Sequence, residues 1–131
     1  MSAWGVGSFE NDDALDWIAI LEECDDLSVI EDSLRSVIDA EDYIELPESA
    51  GAVAAAEVIA SVIGKAIDGL PPEIETWITN VNPKVTVKLK QLATRAIKRV
   101  KRKSEMQELW QESDHSLQWE AAMLDLESRL K

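Results

Sequence analysis

Between Asn11 and Cys24 the apolar residues Ala14, Trp17, Ile18 and Leu21 recur three and four positions apart, the spacing that lines one face of a helix. Asn11 suits the cap of that helix, and Asp12 and Asp13 fall where the helix dipole favours negative charge, so a first helix is expected over about 12–24. Ile30, Leu34, Val37 and Ile38 form the next apolar face, and Ser28 with Glu31 has capping-box spacing, which predicts a second helix over "SVIEDSLRSVID". The third segment, "PESAGAVAAAEVIASVIGKAID", opens with Pro47 and is small and apolar nearly all round. A helix without a polar face has neighbours on several sides, so this one, about 48–68, is expected at the centre of the fold. Gly51, Ala54, Ala55 and Ser61 would let other backbones approach it closely.

After "GLPP", Ile74, Trp77, Ile78 and Val81 predict a fourth helix, which "NP" at 82–83 breaks. A fifth is expected from Lys84, with Val85, Leu89, Leu92, Ala93, Ala96, Ile97 and Val100 on one face and Lys84, Lys88, Arg95, Arg99 and Arg102 lined up beside it. The apolar phase then jumps to Met106, Leu109 and Trp110, and Ser104 with Gln107 repeats the capping-box spacing, so the helix should kink or restart near 104. A last helix, about 115–130, would turn Trp119, Ala122, Met123, Leu126 and Leu130 inward. No stretch alternates as a strand does. The pattern predicts an all-α fold, a single compact bundle of six or seven helices filling one domain over 1–131.

At 131 residues, 46% of them apolar, the chain is long enough to bury a core and is not of disordered composition. Five of its seven aromatic residues are tryptophan, each read first as a core piece whose N–H needs a partner. The lone Cys24 excludes an intramolecular disulfide, no apolar run is long enough to span a bilayer, and no basic region leads into one at the start, so a cytoplasmic location is expected. Charge changes the picture more. The net charge is −13, and residues 1–48 hold fifteen of the twenty-six acids with Arg35 as their only base. Residues 84–103 hold nine of the thirteen bases and no acid. So acidic a chain is not expected to bind nucleic acid nonspecifically or to adhere to anionic membranes.

Catalytic chemistry is scarce. One histidine, His115, and one thiol exclude the zinc motifs, and neither Asn11–Glu22 nor Asp39–Ala50 has the glycine of a calcium loop, so no metal and no cofactor are expected. His115 lies in the polar turn "ESDHS", a poor place for a triad base, and no catalytic residue is assigned. "GVG" near the start lacks the preceding strand of a phosphate loop; its expected role is conformational, with Gly5 and Gly7 letting Trp4 and Phe9 fold back onto the first helix. Glu57, an acid inside the apolar helix, is a candidate buried polar site, read first as a carboxylate accepting hydrogen bonds from a tryptophan, a backbone amide or an arginine.

The opening stretch "WGVGSFENDDALDW", with Trp4, Gly5, Gly7, Phe9, Asn11, Asp12, Ala14, Asp16 and Trp17, resembles the N-terminal signature of a small bacterial family of helical domains of unknown function. The likeness continues through "AAAEVIA" and "SEMQELWQES". It implies a bacterial source and a helical domain, and no activity.

Function must then be argued from charge. Glu22, Glu23, Asp25 and Asp26 crowd the end of the first helix, and Asp39, Glu41 and Asp42 that of the second, where each charge opposes the helix dipole at a cost of about 0.3–1 kcal/mol. Either the basic stripe of the fifth helix answers them internally, or they await a cationic partner. The leading expectation is a cytoplasmic interaction protein and not an enzyme, most concretely an immunity-type inhibitor covering a basic toxin with Asp25, Asp26, Asp32, Asp39, Glu41 and Asp42. Two alternatives stand beside it. One is a small-ligand or enzyme pocket built from tryptophans, Glu57, Asp12 and Asp16; the other is an anion-binding module using Lys88, Arg95, Arg99 and Arg102. Nothing in the sequence specifies an oligomeric state.

Overall fold

Seven helices and no strand make up the described part of the computed structural model, residues 5–131. They are α1 (Asp12–Glu22), α2 (Ser28–Ile38), α3 (Leu46–Val62), α4 (Pro72–Val81), α5 (Val87–Val100), α6 (Glu105–Gln111) and α7 (Ser116–Arg129). The expected packing of Trp4 lies outside the described residues. α3 is the axis of the bundle, touching α1, α2, α5, α6 and α7, and every residue from Ser49 to Ala60 is buried. Small side chains make this possible. A Cβ on Gly51 would stand 3.2 Å from Cδ1 of Trp17, so glycine is what lets α1 lie so close to the axis.

Several ends follow local rules. The Asn11 side chain accepts from the Ala14 amide at 2.8 Å and caps α1. The expected restart falls at Ser104, whose hydroxyl accepts from the Gln107 amide at 3.0 Å. Others differ from expectation. α3 ends at Val62, not near 68, because Gly64 takes the left-handed conformation (φ +85°) and closes a Schellman motif. In it the Lys65 amide donates to the Ala60 carbonyl (2.8 Å) and the Gly64 amide to Ser61 (3.1 Å). The Ser28–Glu31 box does not form. Asp26 does the capping instead, its carboxylate accepting from the Ser28 amide (2.9 Å) and hydroxyl (2.6 Å), while Glu31 pairs with Arg35. α5 begins at Val87 rather than Lys84, capped by Thr86, whose hydroxyl accepts from the Leu89 amide at 3.1 Å.

Side chains distant in sequence close the remaining gaps. Glu105 accepts from the Leu46 amide at 2.7 Å, supplying α3 with an N-terminal acceptor that its own flank lacks. Phe9 packs partly buried against the core, and Gly7 is not in the left-handed region. The Glu10 side chain folds back against Gly5 and Gly7, its carboxylate accepting from the Gly7 amide at 3.1 Å, so a Cβ at either position would displace the flexible end of Glu10. Among the described residues no helix is long and apolar enough to cross a membrane.

Candidate functional site

Glu57 sits in the middle of the axis helix, 1% exposed, and both its oxygens are engaged. Arg129 of α7 makes a two-pronged approach, Nη1 to Oε1 at 2.8 Å and Nη2 to Oε2 at 3.2 Å. The Ser8 hydroxyl donates to Oε2 at 2.6 Å. Arg129 in turn bonds Asp125 (2.8 Å) and the Lys65 carbonyl (3.2 Å). Burial would lower the basicity of this guanidinium, but the Glu57 and Asp125 carboxylates outweigh it and hold it above its ordinary value. The arginine partner expected for Glu57 is therefore present. The group ties the opening segment, the axis and the last helix together. Asp12 and Asp16, the acids proposed to share a pocket with it, lie exposed on α1.

The tryptophans serve the scaffold as well. Trp17 donates from Nε1 to the Ser33 hydroxyl at 2.8 Å, linking α1 to α2. Trp77 donates to the Cys24 carbonyl at 2.6 Å, which pins the α1–α2 turn onto α4. That turn carries Asp25 and Asp26. The loop after α2, which carries Glu41 and Asp42, is pinned too. An Arg99 guanidinium N–H donates to the Asp42 main-chain carbonyl, the Glu105 amide donates to the Ile44 carbonyl at 2.8 Å, and Tyr43 donates to Glu108 at 2.8 Å. The last bond, with the negative charge around it, pushes the Tyr43 phenol up to about 12.

On this fixed backbone all six predicted acids, Asp25, Asp26, Asp32, Asp39, Glu41 and Asp42, are exposed. Asp32 and Asp39 share one exposed stripe of α2 with Ser36, and the other four flank its two ends. None of the six is in an ion pair among the described residues. The basic helix does not answer them; Arg99 takes the carbonyl of Asp42 and not its carboxylate. Asp26 has a structural duty besides, since the hydrogen bonds from Ser28 and Cys24 hold its carboxyl below the usual range. Asp13, on α1, is different again. Burial, then Asp16, Asp12, Glu48 and Glu105, push its carboxyl up, so its charge penalises the fold increasingly as pH rises through that raised value. Among the described residues no group of three or more His, Cys, Asp or Glu side chains is placed to hold a metal ion.

The predicted basic residues come together on the other flank of α2. Lys88 and Arg95, with Lys84, line an open hollow of about 520 Å³ between α2 and α5. Arg95, Arg99 and Arg102 line a second of about 220 Å³. Sequence reasoning missed two members. Lys98 stands one turn beyond Arg95, and Arg35 reaches in from α2, half committed to Glu31 (3.1 Å) in an exposed pair of little energetic weight. Lys98 was legible from its three-residue step, whereas Arg35 needed the pairing of two helices far apart in the chain. Arg99 is spoken for, donating to the main-chain carbonyls of Lys103 and Asp42.

A family model described as "Domain of unknown function (DUF4259)" matches residues 2–122 of the chain. No curated protein and no solved structure matches it.

Proposed function

The chain belongs to this domain-of-unknown-function family, DUF4259, and we propose that it acts as a bacterial, cytoplasmic protein-interaction domain, an immunity-type inhibitor that covers a basic toxin or effector. One observation carries the reading: six carboxylates stand exposed on an anchored backbone, and no base of the chain pairs with them among the described residues. Five of the six have no capping duty. Asp39, Glu41 and Asp42 stand at and just beyond the C-terminal end of α2, where negative charge costs stability that a fold shaped for stability alone would relieve with Lys or Arg. A preformed negative surface instead speeds encounter with a positive one and sets its orientation. The binding surface is α2 with its two flanking turns, and no chemical step is involved.

Genome neighbourhood supplies the test. The product of the gene immediately upstream in the source genome, expressed alone and with this chain, should arrest growth alone and be silenced by co-expression. Reversing Asp25, Asp32, Asp39, Glu41 and Asp42 to lysine, with the capping Asp26 left in place, should slow association at low salt by about tenfold or more and abolish the rescue. A basic neighbour that binds the reversed protein just as fast would refute the assignment of this surface.

A further inference from the structure

α2 separates two surfaces of opposite sign. Its row 32, 36, 39 belongs to the acidic one, and its row 27, 31, 35, 38 looks the other way, onto α5. Leu27, Glu31 and Arg35 share the first hollow with the start of α5, while Ile38 shares the second with its end, so the two helices run side by side in the same direction. Arg95 borders both hollows and makes them one groove. At 1.5 Å per residue the groove follows about 21 Å of α5.

We propose that this groove is a docking site for an acidic amphipathic helix of a partner protein. The wall formed by α5 and the residues just before and after it carries Lys84, Lys88, Arg95, Lys98 and Arg102, none of them in an ion pair among the described residues. In a chain of net charge −13, that concentration of unanswered positive charge is the clearest complementarity the molecule offers to a negative ligand. The floor adds a second requirement. Leu89 and Leu92, each 8% exposed, are the most accessible members of the core, and Leu27 and Ile38 stand half-buried beside them. An occupant must therefore present apolar side chains to the bottom and carboxylates to the wall. A helix does this with residues three and four apart, and the trough between two adjacent helices is where a third packs its ridges.

Nucleic acid fits less well. No aromatic side chain lines either hollow to stack a base, and a phosphate backbone has no apolar side chains to set against the leucine floor. The inference stands apart from the acidic surface, because the groove and that surface use opposite sides of α2.

The test is an amide-shift titration of the full chain with a synthetic helical peptide of about 14 residues, the length of α5, bearing leucines at i, i+3, i+4 and i+7 and glutamates along both flanks. Two further probes are run in parallel: the same composition scrambled, and a single-stranded oligonucleotide. Saturable shifts confined to α2 and α5 are expected. Affinity should be about tenfold weaker for the scrambled peptide, and about tenfold or more weaker in the Lys88→Glu/Arg95→Glu variant. Both residues are exposed and form no ion pair among the described residues, so the variant should keep its fold, which its own amide spectrum verifies. Lys103→Glu, outside the groove, should bind as the parent does. Absence of saturable shifts, equal affinity for the scrambled peptide, or tighter binding of the oligonucleotide would each overturn the proposal.

Discussion

Replacing Arg129 with methionine lowers folding stability by about 3 kcal/mol, because it leaves a carboxylate unpaired in the middle of the bundle axis. Glu57 is 1% exposed, whereas the Arg129 side chain keeps 15% of its surface in water, which places the effect at the lower end of what breaking a buried pair costs. The loss appears as a fall in the urea midpoint with the slope unchanged. Removing both charges, as Glu57→Leu with Arg129→Met, should recover most of it, since two apolar groups need no partners. A loss below about 1 kcal/mol in the single variant would equate the pair with an exposed one and remove its clamping role.

A second large effect is expected at Ala55. Ala54, Ala55 and Ala56 point about 100° apart around α3, and all three are fully buried. Leucine at Ala55 has nowhere to go without moving a neighbouring helix, and costs about 3 kcal/mol. Ala121 is the control. It lies exposed on α7, and leucine there should change stability by no more than about 0.5 kcal/mol. Equal effects at the two sites would mean that α3 is not the packed axis described above.

These sites show what could be read in advance. The central helix was legible because an apolar run with no polar face can only be buried, and Asn11 and Ser104 were legible because a cap is made by residues three apart. The end of α3 was missed because Gly64 looked like one more small residue of an apolar stretch, when its left-handed backbone is what stops the helix. Ser28 lost its capping role to Asp26, two residues earlier, whose charged Oδ1 accepts from both the Ser28 amide and its hydroxyl and so engages the hydroxyl as a donor. Long-range partners left no local trace at all. Glu57 was marked as a buried acid, but Arg129 lies 72 positions away, and the Glu105 that serves the start of α3 lies 59 positions from Leu46.

The acidic residues were legible as charge, and only the fold could say whether α5 neutralises them. It does not pair with them among the described residues, and the carboxylates at the C-terminal end of α2, Asp39, Glu41 and Asp42, then oppose the helix dipole with no base of the chain in an ion pair with them. That is the physical basis of the proposed docking surface.

One measurement goes to that point directly: thermal stability of the variant Asp25→Asn, Asp32→Asn, Asp39→Asn, Glu41→Gln, Asp42→Asn beside the parent chain. At about 0.01 M salt, where charges act over roughly 30 Å, the neutralised protein should melt higher than the parent. The gap should close at about 1 M, where they act over roughly 3 Å. A variant that melts lower at low salt would mean that those carboxylates are stabilised from within, leaving no free acidic surface for a partner.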